Sequence, residues 1–117
     1  MDIEVIRKYC LSFPHATEDI QWENDLLFRI GGKIFAGVSL NPAEQGRFSF
    51  KCTPAQFAEL TERDGIVPAP YVARYHWVSV RKDDALSKAE FKEFIRGSYD
   101  LVSAKLPAKT RKQLKLA

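Results

Sequence analysis

Long apolar runs are missing from this 117-residue sequence, which begins Met1-Asp2 without a basic and apolar leader. A membrane helix needs about 18 consecutive apolar residues, and no segment comes near that length. A secretory signal needs a basic stretch followed by an apolar one, which the first residues do not provide. We therefore expect a cytoplasmic protein that is not attached to a membrane.

Cysteine and histidine are scarce, with two residues of each. Cys10 and Cys52 are isolated and lack the Cys-x-x-Cys spacing of redox and zinc sites, which predicts small buried hydrophobic side chains. His15 and His76 lack the His-x-x-x-His spacing of paired metal ligands. We expect no metal site and no cofactor.

Catalytic signatures are also lacking. The sequence has no Gly-x-Ser-x-Gly elbow, no P-loop and no Gly-x-Gly-x-x-Gly motif. The acidic pairs Glu18-Asp19 and Asp83-Asp84 fall at predicted turns or strand ends, where solvated carboxylates are common; the alternative is a divalent-cation site. The sequence therefore predicts a protein that is not an enzyme and has no catalytic residues.

Neither sign of charge dominates, because 18 basic and 15 acidic residues give a net charge of +3. With 45% hydrophobic and 28% charged residues, the composition is that of a globular protein and excludes disordered, collagen-like and coiled-coil chains. At roughly 150 residues per domain, the length predicts a single domain over residues 1–117. We expect a monomer.

Basic residues are concentrated at the end of the chain. Residues 105–117 contain five lysines and arginines and no acid, so the other 104 residues carry 13 basic and 15 acidic side chains. Such a tail is usually a solvated helix end, where cations are favoured by the helix dipole. The alternative is a second basic patch for phosphates.

Hydrophobic periodicity predicts the secondary structure. Helical spacing predicts a first helix from Asp2 to about Ser12 and a long helix from Ser87 to Leu106. Thr53 has the pattern of an N-cap that opens a short helix, and Asn41 to Gly46 is a polar loop. Alternation predicts strands at Glu18–Trp22, Leu26–Ile30, Lys33–Leu40, Arg47–Cys52 and His76–Arg81, with a Gly31-Gly32 turn in the central hairpin.

This order of elements predicts an α+β fold: a two-layer sandwich with a mainly antiparallel sheet and the N- and C-terminal helices on one face. Two helices cover only one face of a sheet, so the other face is expected to meet solvent or a partner. Period-two alternation then predicts the side chains on that outward face. They are Leu27, Arg29, Lys33, Phe35, Ser39, Arg47, Ser49, Lys51, Trp77, Ser79 and Arg81.

This predicted outward set contains five cations, two aromatic residues and no carboxylate. Cations that neutralise phosphates and aromatic rings that stack on bases are typical of a nucleic-acid surface. The alternative is a solvated sheet face whose charges prevent edge-to-edge aggregation. Taken alone, the pattern slightly favours the solvated face.

Several short segments can also be matched to a known family. They are Phe13-Pro14-His15-Ala16-Thr17-Glu18, Lys33-Ile34-Phe35, Phe50-Lys51-Cys52-Thr53-Pro54, Gly65-Ile66-Val67-Pro68-Ala69-Pro70-Tyr71, His76-Trp77-Val78, Ser98-Tyr99-Asp100-Leu101-Val102 and Lys105-Leu106-Pro107. In this order and spacing, the chain resembles the MmcQ/YjbR family of small bacterial proteins over nearly its whole length.

The resemblance implies a fold like that of the frataxin/CyaY group, and members of the family are commonly labelled DNA-binding. It implies no established enzymatic activity and no cofactor. Lys33, Lys51, His76 and Trp77 match the family's motif positions. A frataxin-like fold also raises iron binding through an acidic first helix. The first helix here balances its two acids with Arg7 and Lys8, so no iron site is expected.

The leading hypothesis is therefore a non-enzymatic protein that binds nucleic acid, with DNA as the expected partner, through the open sheet face. The alternative is a domain that binds a small anionic ligand or a protein, with a pocket near Lys33, Lys51, Trp77 and the loop from Pro68 to Tyr71. A third hypothesis is an enzyme that acts through Lys51 or His76. The residues predicted to contact nucleic acid are Arg29, Lys33, Phe35, Arg47, Lys51, His76, Trp77 and Arg81.

Overall fold

The computed structural model describes residues 2–22, 24–41, 43, 47–70 and 72–116. Within these ranges the chain forms four α-helices and six strands, and a short 3-10 turn at Ala73–Tyr75 precedes the last strand. In chain order they are α1 (Ile3–Leu11), β1 (Thr17–Gln21), β2 (Asp25–Ile30), β3 (Lys33–Ser39), β4 (Phe48–Lys51), α2 (Pro54–Leu60), β5 (Ile66–Pro68), β6 (Trp77–Val80), α3 (Lys88–Ala104) and α4 (Ala108–Gln113).

The strands form one antiparallel sheet in the order β1-β2-β3-β4-β6-β5. The helices α1 and α3 lie side by side on one face, where Tyr9 packs against Phe91 with ring centroids 5.6 Å apart. Ile6 of α1 and Ile95 of α3 are fully buried in this layer. The predicted α+β two-layer fold is confirmed, and in the described ranges no helix covers the opposite face.

Short sequence signals determine where the helices begin. The Asp2 carboxylate accepts a hydrogen bond from the Glu4 backbone N–H at 3.0 Å. The Thr53 hydroxyl accepts one from the Gln56 backbone N–H, and the Gln56 side chain accepts one in return from the Thr53 N–H. Ser87 opens α3 with the same reciprocal pair. These contacts satisfy N–H groups that the first turn of a helix leaves unpaired.

A β-bulge in β3 changes which side chains face the helices. Phe28 pairs with Ala36 and Arg29 pairs with Ile34, which leaves Phe35 as an extra residue between two regular pairs. An extra residue interrupts strict alternation. Phe35 is therefore fully buried, and the prediction that it faces outward is wrong. Ile34, which is absent from the predicted outward set, shares the open face with Arg29.

Phe35 lies within a cluster of aromatic rings that joins three elements. Its centroid is 6.0 Å from Phe13, just after α1, and 5.3 Å from Tyr99 of α3. Phe13 and Tyr99 stack at 4.8 Å, and the Tyr99 hydroxyl donates a hydrogen bond to the Pro14 carbonyl at 2.7 Å. The cluster holds both helices against the bulge.

Ser98 bridges the gap that forms between β3 and β4 beside the bulge. Regular pairing of these strands ends at Ala36 and Phe50. Beyond that pair, the Ser98 hydroxyl donates to the Phe35 carbonyl at 2.6 Å and accepts from the Lys51 backbone N–H at 2.9 Å. Ser98 is fully buried, so its hydroxyl replaces a hydrogen bond that two strands would otherwise make directly.

Two elements differ from the sequence-based prediction. β5 forms in a segment predicted as a loop and pairs with β6. The predicted basic tail contains α4, and its Leu114 and Leu116 pack against the hydrophobic core. Leu106, just before α4, lies under the hairpin turn, where a Cβ on Gly31 would come within 2.7 Å of its side chain. The tail is therefore part of the folded layer.

Other predictions concern single residues or segments. Cys10 and Cys52 are buried and free, as predicted, and burial raises the pKa of their thiols to about 12 and about 11. No helix in the described ranges is long and apolar enough to cross a membrane. Most of the predicted polar loop, Pro42 and residues 44–46, lies outside the described residues, as does Tyr71.

Replacing Ser98 by alanine should lower the free energy of unfolding by about 1–3 kcal/mol, because one buried acceptor and one partly buried donor lose their partner. Ser103→Ala is the matched control, since the exposed Ser103 hydroxyl bonds only within α3, and it should change stability by less than about 0.5 kcal/mol. Urea titration of both variants measures the difference. Equal stabilities would show that the Ser98 bridge does not hold the strands.

Candidate ligand groove on the open sheet face

The open face of the sheet is concave and forms a groove with a volume of about 770 Å³. We call it the sheet-face groove. Its lining residues come from the central strands and from the segments that follow β1 and β5. They are Trp22, Asp25, Leu27, Ile34, Gly37, Val38, Ser39, Arg47, Ser49, Ala69, Pro70, Val72, Trp77, Ser79 and Arg81.

The floor of the groove consists of small residues on three adjacent strands. Gly37 of β3 pairs with Ser49 of β4, and Ser49 pairs with Ser79 of β6. Leu27 of β2 leans over Gly37, since a Cβ on Gly37 would lie 3.2 Å from the Leu27 side chain. A row of short side chains between longer ones leaves the middle of the face hollow. The groove thus results from residue size along one row of the sheet.

The floor hydroxyls face the groove. Ser79 is 2% exposed, and in the described part of the chain neither its hydroxyl nor that of Ser49 makes a hydrogen bond to protein. Ser39, at the end of β3, accepts a bond from the Asn41 backbone N–H at 3.3 Å. The Ser49 and Ser79 hydroxyls are therefore able to bond a ligand at the centre of the groove, and the walls around them are largely apolar.

Tryptophan rings border the groove at two diagonal corners. Trp77 begins β6 and is half-buried, next to Lys51 in the register. Trp22 follows β1 and is 71% exposed, and its backbone has a φ of 50°, in the left-handed region. Both rings line the same concavity, so a ligand of sufficient length contacts both.

Arginines stand at one end of the groove. Phe48 pairs with Val80, so Arg47 and Arg81, the next residues along, are neighbours beyond this pair. Arg81 is exposed and forms no ion pair within the described ranges. Both residues were predicted to lie on the outward face, and both line the groove.

Carboxylates also occur on this face, contrary to the predicted outward set. Asp25 lines the groove, and Asp19 of β1 accepts a hydrogen bond from Arg29 Nε at 2.8 Å. Arg29 also donates to the Gly32 carbonyl, so its guanidinium is held outside the groove. Glu18 forms a bidentate pair with Arg7 of α1. The acidic pair Glu18-Asp19 is therefore matched by two arginines.

Besides Arg29, two more predicted cations do not line the groove. Lys33 is exposed at the hairpin, where it pairs with Ile30. The Lys51 ammonium turns away and donates to the Tyr75 carbonyl at 3.0 Å. Burial, followed by the positive charge of Lys105, lowers the pKa of Lys51. The alternative pocket near Lys33, Lys51 and Trp77 therefore matches the groove at Trp77 and at Ala69 and Pro70 of the neighbouring loop, but not at either lysine.

His76 has a structural environment. Its φ of 65° places it in the left-handed region, and its ring packs edge-on against Phe57 of α2 at 5.7 Å. Its carbonyl accepts bonds from the Cys52 N–H at 2.9 Å and from the Cys52 thiol. These contacts join β4, α2 and β6, and His76 does not line the groove.

Of the eight residues predicted to contact nucleic acid, the groove includes Arg47, Trp77 and Arg81. Arg29, Lys33, Phe35, Lys51 and His76 lie elsewhere. Trp22 and Asp25 were not predicted as site residues. One sequence feature could have identified Trp22 as a site residue: it is a lone tryptophan in a polar segment, between Gln21 and Asn24.

These features define a class: an α+β protein with a six-stranded antiparallel sheet in its described residues, helices on one face and a ligand-sized groove on the other. The profile of the YjbR family matches residues 11–101. The chain belongs to the YjbR family. A search of functionally curated proteins gives no match.

Solved structures resemble the chain, two of them over most of its length. The crystal structure of Deinococcus radiodurans protein DR2400, which contains the domain DUF419, superposes with a TM-score of 0.88 at 27% identity, over 99% of this chain and 89% of that one. A protein from Pseudomonas syringae, structural-genomics target PsR293, superposes with a TM-score of 0.71 at 24% identity, over 86% of this chain and 98% of that one. The second likeness concerns the fold alone.

The different exposure of the two tryptophans gives a direct check of the groove. In Trp77→Phe, which retains Trp22, emission should be red-shifted and strongly quenched by acrylamide, because the ring is mostly in water. In Trp22→Phe, which retains Trp77, emission should be bluer and less quenched. Both variants should quench equally in urea, which serves as the control. Equal quenching of the folded proteins would contradict the placement of the rings.

Proposed function

We propose that the protein binds single-stranded nucleic acid in the sheet-face groove. One observation carries the proposal: two tryptophan rings and two arginines border the same open concavity. Aromatic rings that stack on bases, combined with cations that follow the phosphates, are the common chemistry of single-strand binding. The small floor of Gly37, Ser49 and Ser79 leaves space for bases between them.

The separation of the two rings favours a strand over a single base. Trp22 and Trp77 lie four strands apart and at opposite ends of the face. With about 4.8 Å between strands and about 3.4 Å per residue, their backbones are roughly 25 Å apart. Stacked bases repeat at about 3.4 Å along a strand, so the two rings stack on different bases.

The charge of the groove favours a single strand over a duplex. Arg47 and Arg81 are the cations that line it, and Asp25 offsets part of their charge. Proteins that bind duplex DNA strongly make roughly 6–10 phosphate contacts. Stacking contributes about 1–3 kcal/mol per base without requiring a large positive surface. The proposal therefore assigns most of the affinity to the indole rings.

The groove volume favours a second candidate, a small planar anion. About 770 Å³ is within the usual range of roughly 300–1,000 Å³ for small-molecule sites, and the walls are largely apolar. A nucleotide-sized ligand needs one ring and one arginine, whereas a strand uses both rings. Affinity that rises from a mononucleotide to a hexanucleotide supports the strand, and affinity that is constant over this series supports the small ligand.

Arg81→Ala and Lys33→Ala remove the same charge from exposed residues on one sheet, inside and outside the groove. Arg81→Ala should weaken the binding of a labelled mixed-sequence single strand by about tenfold or more, since a bond to a charged group contributes about 1.5–3 kcal/mol. Lys33→Ala should change the affinity less than twofold. Fluorescence anisotropy measures both. An equal loss in the two variants would assign binding to general charge, not to the groove.

Salt dependence tests the number of phosphate contacts. Two arginines on a single strand should give a slope of log affinity against log salt of about −1.4, at about −0.7 per contact. Five outward cations on duplex DNA, as predicted from alternation, would give about −4.5. Anisotropy titrations between 50 and 200 mM salt measure the slope. A slope near the steeper value would place the contacts outside the groove.

A further inference from the structure

Asp25 places a negative charge in a groove that we propose binds phosphates, which are also negative. It is half-buried in β2, lines the groove and pairs in register with Gln21 on one side and Ser39 on the other. Within the described ranges its carboxylate makes no ion pair and no hydrogen bond, although the neighbouring acids Glu18 and Asp19 are both matched by arginines. Its charge is therefore available to a ligand.

A carboxylate restricts what can lie above it. When ionised it only accepts hydrogen bonds, and it repels a phosphate. Arg81 is three strands away in the sheet, on the far side of β3 and β4. A strand whose phosphates meet Arg81 therefore presents another part of itself, a base edge, to Asp25. That edge must carry a donor.

The bases differ in this respect. Cytosine, adenine and guanine carry an exocyclic amino group, and a carboxylate that accepts a bond from the cytosine N4 amino group is a known form of base recognition. Thymine and uracil have the carbonyl oxygen O4 at the position of the cytosine amino group, and their ring donor, N3–H, lies on the Watson–Crick edge. A carboxylate that meets the exocyclic position on the C5 side therefore faces an acceptor in these two bases, with no proton between the oxygens. We propose, on the basis of the proposed single-strand function, that Asp25 makes the groove select bases with an exocyclic amino group over thymine and uracil.

A hexamer of 5-methyl-deoxycytidine and a hexamer of deoxythymidine make the sharpest comparison. Both have a pyrimidine ring with a C5-methyl group, so stacking is closely matched and the difference lies at the edge that carries the amino group or the carbonyl. Labelled hexamers are titrated with the full chain at pH 7.5 and followed by anisotropy. The wild-type protein should bind the methylcytidine hexamer at least fivefold more tightly, the lower end of what one specific base contact gives.

Asp25→Asn should reduce this preference to less than twofold, because an amide both donates and accepts and therefore suits either base. Asp84→Asn is the matched control: the same substitution at an exposed acid outside the groove, which should leave the preference unchanged. Thermal unfolding of each variant checks the fold, and Asp25→Ser serves as the second variant if the asparagine protein does not fold.

The outcomes separate the two proposals. If neither hexamer binds the wild-type protein, the single-strand function fails and this inference fails with it. If both bind with equal affinity, the function stands and the role of Asp25 is overturned. If Asp25→Asn strengthens both hexamers equally and the preference persists, Asp25 only repels phosphate, and selection by the base edge is again overturned.

Discussion

The Ser98 hydroxyl determines the shape of the sheet. It lies between β3 and β4 where these strands separate, and it satisfies a carbonyl of one and an N–H of the other. Without such a bridge, the extra residue at Phe35 would leave two backbone groups unpaired in a partly buried position. With it, the bulge persists, Phe35 joins the aromatic cluster on the helix side, and Ile34 is left on the groove side.

Periodicity and short local motifs predicted the α+β fold, the hairpin, the N-cap at Thr53 and the helices on one face, because these depend on local sequence. It failed at β3, because the carbonyl of the extra residue is satisfied by a serine 63 residues further along the chain, a tertiary contact that local periodicity does not show. The short β5 could not be predicted either, since a three-residue strand beside two prolines has no alternation to detect. Its pairing with β6 is a tertiary effect.

The candidate site was predicted less well than the fold, for a related reason. Alternation correctly identified the strands that form the open face. The direction in which each long side chain points, however, depends on the group to which it bonds, and alternation does not show that group. Arg29 turns to Asp19 and Lys51 to the Tyr75 carbonyl, and neither contact can be read from spacing. The hollow itself comes from Gly37, Ser49 and Ser79, which a search for charged and aromatic residues passes over.

At position 22, the residue that borders the groove is not the residue that would make the fold most stable. A tryptophan in the left-handed region costs on the order of 1–2 kcal/mol relative to an ordinary backbone conformation. The exposed ring recovers little of this through packing. Glycine or asparagine would fit the same backbone with less strain. Selection for stability alone would therefore favour replacement of Trp22, and engineering that optimises the melting temperature of this fold would remove one border of the groove.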